Sequence, residues 1–118
     1  MIANDTLAML RDTIRDFARE RDWEQFHTPK NLVMALSVEA AEIMEHFQWL
    51  TPEQSTQLDA GKHQQVAHEL ADVLIYLVRL ADVLDIDLAK AAAEKIQHNA
   101  EKYPVEKAKG LSSKYTEL

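Results

Sequence analysis

The chain has 118 residues, 47% of them hydrophobic, with two Gly, three Pro and no Cys; this suits one domain with a modest core and excludes disulfides. Its net charge of −7 argues against nonspecific binding to nucleic acid or to an anionic membrane, though not against a small anionic ligand neutralised by a divalent cation. No apolar run reaches the ~20 residues of a bilayer span and no secretory signal pattern opens the chain, so a cytoplasmic protein without nucleic-acid or membrane partners is expected.

Helix-favouring Ala, Leu, Glu, Lys and Gln dominate, which points to an all-α fold. Asn4 or Asp5 is suited to cap a first helix, along which Leu7, Leu10, Ile14 and Phe17 form one stripe until about Arg21. The segment from Arg21 to Pro29 breaks that period and is too aromatic to be a solvated linker. It holds a Glu24-x-x-His27 pair, a weak metal motif outside the apolar helices.

Thr28, Pro29 and Asn31 mark the start of a second helix that runs to about Leu50. Thr51-Pro52-Glu53-Gln54 reads as a capping box for a short helix ending before Gly61, and a third helix runs from about Gln64 to Leu84. His63 and His68, near its start, are expected to be exposed. Asp85 or Asp87 caps a fourth helix that ends at Pro104. Lys95, Asn99 and Lys102 share one of its faces, which on the residues alone is a solvated stripe. The tail, residues 106–118, is basic, without helical period and partly flexible. A four-helix bundle follows, as a single domain over residues 1–118. Two nearly all-apolar helices in so short a chain also predict a homo-oligomer, a dimer or a tetramer built as a dimer of dimers.

The second and third helices are strongly apolar, yet each carries two acids three residues apart: Glu39 and Glu42, then Glu69 and Asp72. A spacing of three places both carboxylates on one helix face. The third helix is apolar nearly all round, the pattern of a buried helix. Buried carboxylates need a cation, donors or a proton, and no Lys or Arg follows either pair at helical spacing except the more distant Arg79. If the two helices meet their connection at Leu50 and Gln64, Glu42 and Asp72 both lie about 12 Å from it, so antiparallel packing levels the two pairs. Four oxygen ligands without Cys suit a hard cation, Mg²⁺ or in its place Mn²⁺.

Glu39-x-x-Glu42 followed after 26 residues by Glu69-x-x-Asp72 resembles the signature of the all-α NTP pyrophosphohydrolases, the MazG-like superfamily. The phrases RDWEQFH, FQW, ELADVLIYLVRLA, NAEKYP and SSKYTEL look like the dCTP pyrophosphatase branch, and the likeness covers nearly the whole chain. The resemblance implies hydrolysis of a nucleoside triphosphate at the α-phosphorus, releasing monophosphate and pyrophosphate. It implies that Glu39, Glu42, Glu69 and Asp72 hold Mg²⁺ and serve catalysis, one of them as general base. Lys95, Asn99 and Lys102 are implied as phosphate contacts, and Trp23 and Trp49 as walls for a pyrimidine. Trp49 lies ten residues past Glu39, on nearly the same helix face as Glu42. His27 and Tyr76 are implied as polar contacts to base or sugar, and Lys114 and Tyr115 as closing the pocket from a neighbouring subunit. In vertebrate members of the branch a base-contacting His occupies the position that aligns without gaps to Ile14, so a hydrogen-bonding group is missing here. Pyrimidine deoxynucleotides, modified cytosines included, remain the implied substrates.

Alternatives within the superfamily are a broad-specificity NTP pyrophosphatase and a dUTPase-like enzyme. From other classes come a non-catalytic helical interaction module and a carboxylate-bridged di-iron bundle. The di-iron site needs Glu-x-x-His on core helices, which neither apolar helix carries.

Overall fold

The computed structural model describes the backbone of residues 2–118, and side chains from Thr6 onward. Every regular element among these residues is helical. Two compact units divide the chain, residues 1–86 and 87–118.

The first unit holds α1 (Ile2–Glu20), a 3₁₀ turn at Glu24–Phe26, α2 (Pro29–Phe47), α3 (Pro52–Ser55) and α4 (Ala60–Val83). Its starts are set by local hydrogen bonds. Thr28 Oγ1 accepts from the Asn31 N–H at 3.2 Å with Pro29 in the first turn, and Asp59 Oδ1 accepts from the Lys62 N–H at 2.8 Å. Thr51 and Gln54 form the reciprocal capping box, at 3.2 and 3.0 Å. Such caps satisfy orphan N–H groups and stabilise a helix by about 1 kcal/mol each.

Asp22 and Asp85 adopt φ of 54° and 55° just past the ends of α1 and α4. The next residue then donates back into the helix, Trp23 N–H to Ala18 O at 2.9 Å and Ile86 N–H to Ala81 O at 2.8 Å. That is the Schellman arrangement, made here with Asp where Gly is usual.

The main packing is α2 against α4, with α1 laid on α4. The core is small: Ile14 and Ala18 from α1, Leu32 from α2, and Val66, Val78 and Ala81 from α4. Ile14, at the position implied to lack a base-contacting group, is thus a packing residue. Arg79 is buried with them, its Nη1 donating to Asp82 Oδ2 at 3.1 Å and its Nε to His27 Nδ1 at 3.0 Å. Arg15 Nε donates to the same Asp82 Oδ2 at 2.9 Å and its Nη2 to Oδ1, so one carboxylate joins α1 to α4.

Several expected boundaries move. The first helix begins at Ile2, which puts Asn4 and Asp5 inside it; their side chains lie outside the described residues. The second helix stops at Phe47, not Leu50, and the third starts at Ala60, so Gly61 lies within it. The expectation that this helix is buried all round also fails within one chain, because Leu70, Leu74, Ile75 and Leu77 are each more than a third exposed.

The second unit contains α5 (Leu88–Lys102), capped by Asp87 Oδ1 accepting from the Lys90 N–H at 3.1 Å, then α6 (Val105–Ala108) and a 3₁₀ turn at Tyr115–Glu117. Within it Tyr115 packs edge-on against Tyr103, ring centroids 6.0 Å apart, and Lys102 Nζ sits 4.9 Å from the Tyr115 ring centre. Gly110 takes φ 79°, a left-handed turn that Gly adopts without strain.

Candidate active site

The four acids come together across the α2–α4 pair. Glu39 and Glu42 share a face of α2, and Glu69 and Asp72 share one of α4, all four partly buried. The Glu39 carboxyl is pushed above the usual carboxylate range, first by burial, then by Glu42 beside it and by the charges of Asp72 and Glu69 from the facing helix. The two pairs do not lie at equal depth from the connection as expected: Glu42 is five residues before the end of α2 and Asp72 twelve residues after the start of α4. The acids still meet because the first turns of α4 run alongside the last turn of α2, where Lys62 Nζ lies 3.1 Å from His46 Nδ1.

His46 is the residue the sequence reading missed. Its Nε2 lies 2.6 Å from Glu69 Oε2, with side-chain exposures of 15% and 23% for His46 and Glu69. The approach lacks the alignment of a hydrogen bond, so Glu69 Oε2 is buried without a well-formed partner, as is Glu39 Oε2. Glu69 therefore has a basic neighbour inside the chain, His46 of the facing helix, which Lys62 touches in turn. The signal was present as spacing: His46 is four residues past Glu42, and Lys62 is seven before Glu69.

Among the described residues no three His, Asp or Glu side chains are gathered tightly enough to clasp an ion as they stand. Their chemistry nevertheless fits a hard divalent cation. Four carboxylates face one another, one with raised proton affinity, and two of their oxygens are buried without a hydrogen bond.

A cavity of about 460 Å³ opens beside this groove, lined by His46, Trp49, Leu50, Gln54, Leu58 and Lys62 among others. Trp49 is 86% exposed and lies in the turn after α2, because the helix ends at Phe47; it does not stand on the helix face of Glu42 as its spacing suggested. Trp23 lies apart from that cavity's lining. It packs edge-on against Phe17, centroids 5.7 Å apart, and is 6.4 Å from the His27 ring. Burial and then the Arg79 charge lower the proton affinity of His27. Arg79 also fixes its tautomer: the guanidinium only donates, so Nδ1 accepts and Nε2 carries the proton. Tyr76 follows Asp72 by four residues on α4 and is half-buried.

Within the second unit Lys95, Asn99 and Lys102 line one face of α5, all exposed. Tyr115 is engaged with Tyr103 and Lys102 of its own chain, and Lys114 is exposed just before it.

The sequence profile of the MazG-like family matches residues 34–118. The chain is 44% identical over 115 residues to dCTP pyrophosphatase 1 of Rattus norvegicus and to that of Homo sapiens, covering 96% of this chain and 68% of each relative. A solved pyrophosphatase from Archaeoglobus fulgidus is similar in fold, with a TM-score of 0.79 and 39% identity over 84% of this chain and 93% of its own. On the match to more than half its length, and on relatives this similar along nearly all of it, the chain belongs to the MazG-like family.

Proposed function

We propose that the protein is a nucleoside triphosphate pyrophosphohydrolase that cleaves dCTP, and related modified pyrimidine deoxynucleotides, to the monophosphate and pyrophosphate, clearing them from the cytoplasmic nucleotide pool. The observation that carries this reading is the meeting of Glu39, Glu42, Glu69 and Asp72 in a chain 44% identical to dCTP pyrophosphatase 1.

Mg²⁺, with Mn²⁺ as substitute, is the cofactor these acids would hold; bound there it neutralises phosphate charge and acidifies water. The remaining work belongs to side chains. One of the four acids takes the proton of the attacking water. Trp49 offers an exposed indole beside the cavity for stacking on a base, and Trp23 offers a second aromatic face. His27 presents a fixed Nε2–H donor and Tyr76 a phenol for polar contacts to base or sugar. Lys95, Asn99 and Lys102 supply donors for phosphate oxygens. Lys114 and Tyr115 act from a neighbouring subunit of a homo-oligomer.

A panel of deoxy- and ribonucleoside triphosphates, with pyrophosphate and orthophosphate measured separately, tests the proposal. Pyrophosphate from dCTP, with Glu42→Gln and Asp72→Asn inactive, is expected. Equal turnover across bases would favour a broad-specificity enzyme, preference for dUTP a dUTPase-like one, and orthophosphate alone would refute attack at the α-phosphorus.

A further inference from the structure

We infer that His46, anchored by Lys62, is a positioning residue for Glu69: it restrains one oxygen of that carboxylate and thereby strengthens divalent-cation binding at the acidic groove. The inference rests on the reading of Glu69 as a metal-site acid.

The tautomer follows from the partners. A lysine ammonium has three donors and no acceptor, so at 3.1 Å from Lys62 Nζ the His46 Nδ1 must be the lone-pair nitrogen. The ring proton then sits on Nε2, the atom 2.6 Å from Glu69 Oε2. The two contacts link a cation, an imidazole and a carboxylate in series. The torsions that bring the last contact into alignment, χ2 of His46 and χ3 of Glu69, are soft terminal ones.

Lys62 makes no ion pair with a carboxylate among the described residues, in a chain with 20 acids and 13 Lys and Arg. Its charge faces the imidazole, whose other nitrogen approaches Glu69. His46 also shares the α2 face of Glu39 and Glu42, at seven and four residues' spacing, so one helix face carries both acids and the group that steadies the acid opposite. Metal-binding groups are commonly oriented by such outer partners, whose loss costs about 10–100-fold in metal affinity or activity. His46 and Lys62 also line the cavity beside Trp49, which ties the steadiness of Glu69 to the wall of the space next to the groove.

The test is Mn²⁺ titration of the nucleotide-free protein, followed by electron paramagnetic resonance, for the parent, His46→Leu, His46→Gln and Lys62→Met. It is joined by ¹⁵N NMR of the His46 ring in the unaltered chain. His46→Leu should weaken Mn²⁺ binding by about 10–100-fold, and His46→Gln, which keeps a terminal N–H donor, should recover most of the loss. The parent ring should show protonated Nε2 and bare Nδ1, a signature that Lys62→Met redistributes between the tautomers. Undiminished Mn²⁺ affinity in His46→Leu, equal losses in the Leu and Gln variants, or a parent ring protonated on Nδ1 alone would overturn the inference. Should His46→Leu fail to fold, the ring signature and Lys62→Met decide. Glu42→Gln separates the two readings. If it too binds Mn²⁺ normally, the acidic groove is not the metal site; if it loses the ion while His46→Leu keeps it, only the role of His46 falls.

Discussion

Glu39 lies partly buried and faces three other acids, so its ionisation is opposed first by burial and then by like charge. Neutralising it should relieve the metal-free protein. Glu39→Gln is expected to stabilise the apo chain by roughly 0.5–1 kcal/mol after allowance for solvent screening, a rise of a few degrees in melting temperature. The same change should lower turnover by about 100-fold or more, so paired melting and activity measurements would show opposite signs. A variant no more stable than the parent would mean that the acids do not strain one another. Asp82 is the reverse case. The hydrogen bonds from Arg15, then the charges of Arg15 and Arg79, hold its proton affinity below the usual range. Its stabilisation is therefore present above the unfolded-state pKa near 3.9 and lost as pH falls through the lower folded value. Asp82→Asn should cost about 2–4 kcal/mol at pH 7, since it strips the buried Arg79 of its carboxylate. The difference from the parent should shrink below pH 4 in urea unfolding curves. The sequence made the acids legible because their spacing alone puts them on one face. It did not make His46 or Asp82 legible as partners, because Glu69 and Arg15 reach them from other helices and only the packing register brings them close.

Helix starts were readable for the same local reason. Thr28, Thr51 and Asp87 cap from within a few residues, and each does so in the structure. Gly61 misled because a glycine usually punctuates, whereas the Asp59 side chain captures the Lys62 N–H and draws the helix start ahead of it. The end of α4 falls within one residue of the expected Leu84, but the turn that closes it was not legible, since Asp85 takes the left-handed conformation normally left to Gly or Asn. That position makes a sharp prediction. Asp85→Gly should be neutral or mildly stabilising, because the backbone conformation is already one Gly prefers. Asp85→Val should lose about 1–2 kcal/mol, because a β-branched side chain at positive φ crowds its own backbone. Chemical denaturation of both variants checks it, and equal stability would show that the turn does not depend on this geometry.

At the scale of the molecule, large apolar side chains stand exposed along α2 and α4. On α4, Leu70, Leu74 and Leu77 recur at four and three residues' spacing and are 54%, 41% and 37% exposed. On α2, Met34, Val38 and Met44 are 57%, 57% and 60% exposed. At 100° per residue the α4 stripe stands about 130° around the helix from Glu69, Asp72 and Tyr76. Covering it would leave the acidic face of α4 open to substrate. Water contact over so many large side chains is costly, at about 1.5–3 kcal/mol for each one that burial would cover. A second copy would supply such cover through a symmetric helix-face contact, and self-association is therefore the expected outcome. Light scattering coupled to size exclusion should give two or four times the chain mass. Leu74→Glu, which sets a charge in the middle of the stripe, should shift the population toward single chains and make the melting temperature depend more strongly on protein concentration. A parent that elutes at the mass of one chain at micromolar concentration would mean that this surface stays in water, and the proposed contribution of Lys114 and Tyr115 from a neighbouring subunit would fall with it.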